Sequence, residues 1–395
     1  MFHLSNGKNT RLFNRYFILV WIAALGLNLT QNMLNNGITL YITSMGMSTG
    51  FAGTLAIPYA IAAIIMRFVG GSWIDRYSRR SLLVVGCLTF GVTAILFGAI
   101  PSVWALLLFR GLHGFSYSSG QLAASTANVD VTPPEKRSLG IGIFWTSSAV
   151  SLGCAGFLVT GLTSGGSYMP LFLACGAVSL VVAMSSLFCN YEKKTDAAER
   201  KNPAASNQYR GILRFVEPAA FRPAILMLVE AVGISSAALY LMKFAKDMAY
   251  DNAALALVTA TVGMVVGNLS SDRMIRKLGA KGTLMFTFLI SAVGFAMMVL
   301  VKSYATYLLG GVAYGFLQGV CLPVFSALAV KGMPVERRGV AGGTVYCMLD
   351  LGMGVGTALW GTVIGSLGFT ASFRGGAAVL VLGAVLSFLF YRKET

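Results

Sequence analysis

The stretch GGSWIDRYSRR, residues 70–80, places one carboxylate and three arginines between two long apolar runs. Charge is scarce elsewhere, because only 11% of the 395 residues are charged whereas 56% are hydrophobic. This is the composition of a membrane protein. The stretch therefore predicts a short polar connection between two membrane-spanning helices, and the fold depends on how many such helices the chain contains.

Twelve apolar runs are long enough to cross a bilayer, since a membrane-spanning helix needs about 20 residues. The first run is too long for a cleaved signal, and eleven more follow it. We therefore predict an all-α membrane protein with twelve transmembrane helices. The predicted spans are residues 16–40, 49–72, 80–100, 103–127, 138–162, 167–189, 223–246, 253–271, 280–301, 304–329, 339–364 and 371–391.

One long polar segment, residues 190–211, separates the first six spans from the last six. It is rich in charge, Ala, Asn and Ser, which indicates a solvated linker. We predict an N-terminal six-helix bundle at residues 1–189, a cytoplasmic linker at 190–222 and a C-terminal six-helix bundle at 223–395.

The two predicted bundles repeat each other in sequence. A shift of 201 residues aligns PPEKRSLGIG from Pro133 with PVERRGVAGG from Pro334. A shift of 199 aligns ITLYIT at residues 38–43 with AALYLM at residues 237–242. Two pseudo-symmetric halves predict a substrate site between them, near the bilayer midplane, that is reached from alternate sides as the halves rock.

The distribution of basic residues indicates topology. The formal net charge of +16 is compatible with nucleic-acid binding, but lysines and arginines are concentrated on one side of the predicted spans. By the positive-inside rule that side is cytoplasmic, so both termini and the linker are expected there. The expected partners are the lipid bilayer and a small-molecule substrate, without nucleic acid, and the chain is expected to be monomeric. The opposite side has only Lys243, Lys246, Lys302 and Arg374.

The opening stretch resembles a family motif. Residues 71–80, GSWIDRYSRR, are similar to the G-x-L-a-D-R-x-G-R-R loop of the major facilitator superfamily, and they lie between spans 2 and 3, where that motif belongs. The resemblance implies the twelve-helix fold of that family and transport by alternating access. Asp75 would then cap a cytoplasmic helix end and pair with guanidinium groups across the gap between the halves. The implied gating loop comprises Gly71, Asp75, Arg76, Arg79 and Arg80.

This loop leaves two points open. Ser78 stands where the family has a second glycine, which bears on the geometry of the turn. The basic residues could also anchor the topology without any gating role.

Span 4 carries an arginine and a histidine within the membrane. RGLHG, from Arg110 to Gly114, resembles the R-x-x-x-G element of proton-coupled members of the superfamily. An arginine inside a span costs roughly 2.5 to 3.5 kcal/mol on insertion scales, so it usually faces a cavity or a partner. Arg110 is the candidate for tuning proton coupling, with bonding to helix carbonyls as the structural alternative. His113 is a candidate for substrate contact, with helix packing as its alternative.

Span 1 has a stripe of carboxamides at helical spacing, suited to hydrogen bonding with a polar substrate. Hydrogen bonds between helices explain the same pattern. Tyr346, in span 11, is the predicted contact from the second half. With His113, the predicted substrate-binding residues are Asn28, Gln31, Asn32, Asn35 and Tyr346.

Two of the fourteen carboxylates, Glu230 and Asp350, fall well inside apolar spans. A buried acid is costly unless it is paired or protonated, which makes both residues candidate proton carriers. A shift of 199 aligns Glu230 with Gln31, so it is expected at the cavity position equivalent to the carboxamide stripe. Static pairing is the alternative for each acid, with Arg110 as the candidate partner by residue type. Sodium is the alternative coupling ion, because a carboxylate with nearby amide oxygens suits either ion.

The sequence favours a secondary transporter. It has no P-loop or metal-spaced histidine cluster, so no enzymatic activity, metal or cofactor is expected. The chain is similar to bacterial drug and small-metabolite exporters of the superfamily, including sugar-efflux-like and metallophore-exporting members. This resemblance implies proton-coupled export of a small organic molecule. The alternatives are proton- or sodium-coupled uptake of a sugar or organic anion and, more remotely, a receptor of the same fold that does not transport.

The predicted topology can be tested by impermeant thiol labelling in a cysteine-free background. A cysteine placed at Ser206, in the linker, should react only after the cells are permeabilised, because the charge bias puts the linker inside. A cysteine at Asp251, between spans 7 and 8, should react in intact cells. The reverse labelling pattern would show that the predicted orientation is inverted.

Overall fold

The computed structural model describes residues 12–76, 78–133, 136–190, 215–334 and 337–392, apart from the side chains of 71–76 and 137–139. The described chain is almost entirely α-helical and contains no β-strand. The twelve long helices are α1 (Arg15–Ser44), α2 (Ala56–Arg76), α3 (Arg79–Ala99), α4 (Val103–Val131), α5 (Arg137–Thr163), α6 (Met169–Leu187), α7 (Phe221–Ala238), α8 and α9 within Leu255–Leu300, α10 (Tyr304–Val330), and α11 and α12 within Arg338–Phe390.

Single glycines divide the two longest helical stretches. Gly279 has φ 67° and separates α8 from α9. Gly368 has φ 79° and separates α11 from α12. These φ values lie in the left-handed region, which is readily available only to glycine, so the chain reverses direction there without a longer loop.

The predicted twelve-helix membrane fold is confirmed. Nine helical stretches of the described chain are long and apolar enough to cross a membrane, and two of these are the stretches broken at Gly279 and Gly368. The remaining helix, α4, carries Arg110 and Asp130. Large apolar side chains such as Leu269, which is 74% exposed, cover the outer surface, as expected where lipid tails surround the protein.

Two spans depart from single continuous helices. A short helix, Thr49–Thr54, precedes α2, and another, Leu241–Asp247, follows α7. Polar side chains cap the starts of α1, α3 and α10. Ser78 accepts a hydrogen bond from the backbone N–H of Ser81 at 3.0 Å, so the residue that replaces the family's second glycine is the N-cap of α3.

The chain crosses between two faces of the bundle. One face, here called the linker face, carries the N-terminal ends of the odd-numbered helices and the C-terminal ends of the even-numbered helices. The other face, here called the opposite face, carries the odd-to-even connections. Within the first half α1 packs on α4, α5 and α6, while α7 packs on α10 and on the α11–α12 stretch in the second half. The halves meet where α2 packs on α11 and where α5 packs on α8.

Small residues bring the halves together at both crossings. A Cβ atom added at Gly153 of α5 would lie 2.9 Å from Thr261 Oγ1 of α8. One added at Gly354 of α11 would collide with the side chain of Ala60 in α2. The shift of 201 residues that relates Gly153 to Gly354 also relates Ala60 to Thr261, so the crossings are pseudo-symmetric. All four residues lie nearer to the opposite face than to the linker face.

We expect Gly354→Leu to lower the melting temperature of the purified protein, because the added side chain forces α2 and α11 apart; overpacking typically costs about 1 to 3 kcal/mol. Gly342→Leu is the matched control, since it lies on the same helix and a Cβ atom there has nothing within 4 Å. Equal melting temperatures for the two variants would contradict the close crossing.

Candidate functional site

Polar side chains from α1, α2 and α4 meet inside the first half. Asn35 Oδ1 accepts hydrogen bonds from Gln31 Nε2 at 3.3 Å and from Arg110 Nη2 at 3.3 Å. The Arg110 guanidinium also lies over the ring of Tyr59, 4.9 Å from its centroid. Arg110 is only 1% exposed, so it is an interior cation held by an amide and an aromatic face.

The carboxamide stripe of α1 serves two purposes. Asn28 Nδ2 donates to Ser147 Oγ at 3.3 Å, and Asn32 Nδ2 donates to Ser151 Oγ at 2.9 Å. Both serines belong to α5, so these two asparagines make the hydrogen bonds between helices that were the alternative interpretation of the stripe. Gln31 instead donates to Asn35, and Asn35 accepts a hydrogen bond from Arg110.

A tyrosine layer extends this cluster along α4. Tyr117 donates from its hydroxyl to Asn28 Oδ1 at 2.9 Å, and its ring centroid lies 6.5 Å from that of Tyr59. Arg67, Arg110 and Asp350 all lie close enough for their charges to act on the Tyr59 hydroxyl. The cluster therefore continues from the first half to the contact between α2 and α11.

Arg67 and Asp350 form an ion pair between the two halves, from α2 to α11. Their side chains are 23% and 13% exposed. The Arg67 guanidinium also lies 5.0 Å from the ring centroid of Tyr346, so the predicted substrate contact Tyr346 supports this pair. Arg110 was the partner expected by residue type, and the structure corrects that expectation because α2 rather than α4 packs on α11. Sequence reasoning missed Arg67, although it is an arginine inside predicted span 49–72.

Glu230 lies in the second half without a cationic partner among the described residues. It is 2% exposed, and no described residue donates a hydrogen bond to its Oε2 atom. Its electrostatic neighbours are Tyr314 and Cys321 of α10. The expected pairing with Arg110 is absent, because Arg110 is engaged by Asn35 and Tyr59.

His113 packs between α3 and α4. It has no exposed surface, and its ring meets Phe90 edge to face at 5.2 Å and lies 5.9 Å from Phe97. The contact of His113 with substrate stays a prediction, and in this conformation His113 is enclosed by aromatic packing, as the packing alternative predicts. The reason is its register, because a residue three positions after Arg110 is turned about 60° away from it around the helix.

The predicted gating loop is only partly described. The side chains of Gly71, Asp75 and Arg76 lie outside the described part of the structure. Arg79 Nε lies 3.1 Å from Asp130 Oδ2 at the end of α4, so Arg79 ties two helices of the same half together. Arg80 is half-buried. Gating by this loop therefore stays a prediction.

In the described ranges, no group of three or more histidine, cysteine or acidic side chains is placed to hold a metal ion. The site is instead a set of amides, tyrosines and a few charges, which can bind an organic solute and move protons.

Comparison with known proteins identifies the family. The sequence model described as Major Facilitator Superfamily matches residues 20–257 and 223–395, which together span most of the chain. The chain belongs to the major facilitator superfamily. Members of this superfamily are carriers rather than enzymes, so the chain is a multi-pass membrane transporter of a small-molecule substrate.

The transporter is similar to two kinds of bacterial resistance protein. Multidrug resistance protein 2 of Bacillus subtilis is 24% identical over 388 residues, covering 95% of this chain and 94% of that protein. Tetracycline resistance protein, class E, of Escherichia coli is 22% identical over 316 residues, covering 77% of each chain.

Solved structures share the fold. A mutant of the nucleoside transporter NupG has a TM-score of 0.78 at 15% identity, covering 96% of this chain and 99% of that one. A bacterial homologue of the human lysosomal transporter Spinster, in an inward-facing and unoccupied conformation, has a TM-score of 0.75 at 15% identity and covers 98% of both chains.

The ion pair can be tested by a double-mutant cycle. Asp350→Asn should lower the melting temperature of the transporter more than the double variant Arg67→Gln/Asp350→Asn, because the single change leaves an arginine that cannot lose its charge. Asp247→Asn is the control, since it breaks the solvent-exposed pair with Lys243, and exposed pairs contribute about 0 to 1 kcal/mol. Additive effects of the two single changes would show that Arg67 and Asp350 do not interact.

Proposed function

We propose that the transporter exports a small organic molecule, either a drug-like compound or a metabolite such as a metallophore, by proton-coupled alternating access. We place it in the bacterial cytoplasmic membrane with both termini in the cytoplasm. The observation that carries the coupling proposal is Glu230, an acid enclosed by the second half without a cation among the described side chains.

Glu230 is proposed as the proton carrier because of the cost of its charge. An ionised carboxylate in a low-dielectric site is expensive, and with no positive partner the least costly state of the enclosed site is the protonated one. When the site opens to water, the acid can ionise. A proton is then taken up from one side and released on the other as access alternates.

Asp350 is proposed to act through its partner in the other half. In the conformation described, Arg67 compensates its charge across the contact between α2 and α11. Rocking of the halves must separate or tilt these helices, so the pair must be remade or Asp350 must be neutralised. The protonation state of Asp350 is thereby linked to the relative position of the halves. Arg110, whose guanidinium lies 4.9 Å from the ring centroid of Tyr59, adds positive charge to this region.

The substrate is proposed to bind among Gln31, Asn35, Tyr59, Tyr117 and Tyr346. The amides can donate and accept hydrogen bonds, and the tyrosines add aromatic faces. Asn28 and Asn32 position α1 against α5 through their serine partners, so a contact with substrate from either requires exchange of that bond.

Export is favoured over uptake by the relatives, since the two resistance proteins match over 95% and 77% of the chain. The close glycine crossings near the opposite face suit a conformation that loads from the linker face, which is cytoplasmic in the proposed topology. The second candidate is coupled uptake of a polar solute, which the carboxamides of α1 and the fold shared with a nucleoside transporter support.

The coupling is tested in inside-out vesicles with an imposed pH gradient, using a compound to which expressing cells gain tolerance. Wild type should accumulate the compound when the lumen is acidic, because that lumen corresponds to the cell exterior. Glu230→Gln and Asp350→Asn should each lose this response, since neither can carry a proton. Asp247→Asn, a solvent-exposed acid on the opposite face, should keep it.

Wild-type accumulation in both neutral variants would exclude these acids as coupling sites. If wild type accumulates the compound in response to a sodium gradient alone, sodium rather than the proton is the coupling ion. Accumulation in right-side-out vesicles with an acidic exterior, and none in inverted ones, would establish uptake.

A further inference from the structure

The polar cluster of the first half carries more positive than negative charge. Its two arginines, Arg67 and Arg110, are joined through Tyr59, which is within electrostatic range of both and of Asp350. Asp350 is paired with Arg67. Of the three charged groups in this cluster, Arg110 is therefore the one without a counter-charge.

Arg110 has unused hydrogen-bonding capacity as well as unbalanced charge. Its Nη2 atom donates to Asn35, whereas Nε and Nη1 are buried and have no acceptor among the described residues. The cation–π contact with Tyr59 offsets only part of the cost of burying an ion. The positive charge of Arg110 is therefore only partly compensated, and a bound anion would compensate it further.

No acid among the described residues lies near enough to Arg110 to balance its charge in this conformation. Asp75 is on α2, sixteen residues beyond Tyr59, which is about 24 Å along the helix axis. Glu230 interacts with Tyr314 and Cys321 in the other half. The described chain therefore leaves the charge of Arg110 open to a bound anion.

A second unsatisfied group lies on the same face of α4. Gln121 follows Arg110 by eleven residues, which is about 16 Å along the axis and 20° around it. Its Oε1 and Nε2 atoms are both buried without a hydrogen-bond partner in the described ranges. Tyr117 lies between the two, with its ring near that of Tyr59.

We propose that the substrate is an organic carboxylate with a ring, bound with its carboxylate on Arg110, its ring against Tyr59 and Tyr117, and a polar group toward Gln121. This inference rests on the proposed export function and specifies the substrate class. A carboxylate matches the parallel N–H groups of a guanidinium, and Gln121 can both donate and accept. Organic cations are disfavoured by the charge of Arg110.

Export of such a substrate agrees with the membrane potential. Moving one negative charge out of a cell with a negative interior is electrically favourable. Antiport of one anion against one proton carries two charges in the same electrical sense, so the potential assists every turnover.

The substrate class is tested with three probes of the same ring and different charge: naphthylacetate, naphthylacetamide and naphthylethylamine. Each is added at millimolar concentration and constant ionic strength to the purified full-length transporter, and the melting temperature is measured. Naphthylacetate should raise it most, the amide less, and the amine least, because only the first supplies the missing charge.

Substitutions test whether Arg110 is the residue that binds the carboxylate of naphthylacetate. Arg110→Gln should weaken naphthylacetate binding at least tenfold, and Arg110→Lys should give an intermediate value because it keeps the charge without the fork of N–H groups. Arg374→Gln, which removes an exposed arginine of the second half, should have no effect on naphthylacetate binding.

If the Arg110 variants do not fold, the melting temperatures of the wild-type protein with the three probes still decide the substrate class. Equal or stronger stabilisation by naphthylethylamine, or no stabilisation by any probe, overturns the proposed substrate class. Reconstituted vesicles separate this result from the proposed function. Binding of naphthylacetate without transport in either direction would support the substrate class and reject export, whereas proton-driven export of the amine would support export and reject the substrate class.

Discussion

A charge inside the bilayer must be neutralised by the protein, by a proton or by a ligand, and this constraint organises the transporter. The described membrane interior meets it in three ways. Arg67 and Asp350 neutralise each other across the two halves. Glu230 is enclosed with its Oε2 atom unpaired among the described residues, and we propose that a proton neutralises it. Arg110 is held by an amide and a ring, and its Nε and Nη1 atoms have no acceptor in the described ranges, which is the basis for the proposed anion.

The same constraint explains why the two halves are alike in packing and different in chemistry. Gly153 and Gly354 occupy repeat-related positions and allow matching close approaches between the halves. At the first crossing Thr261 Oγ1 donates to the carbonyl of Ala149 at 2.9 Å. The shift of 201 residues relates Ala149 to Asp350, so the second crossing has an ion pair where the first has a neutral hydrogen bond. The two crossings therefore share their packing and differ in their charge.

The arrangement also separates positioning from binding within a single helix. Asn28 and Asn32 of α1 bond to serines of α5, whereas Gln31 and Asn35 point to Arg110. One face therefore fixes the helix against α5, and the adjacent face joins the polar cluster around Arg110.

The sequence by itself determined the helices, their number and the repeat, because bilayer thickness and backbone hydrogen bonding leave few other structures for apolar runs of this length. It also singled out Arg110, Glu230 and Asp350, since a charge in an apolar run is conspicuous in one dimension. Tertiary structure decided the partners. Arg67 rather than Arg110 meets Asp350, and His113 turns into the packing of α3, because pairing depends on which helices touch and on the angle at which each residue leaves its helix. Those are properties of three-dimensional packing, and residues almost three hundred positions apart carry no local pattern that reveals them.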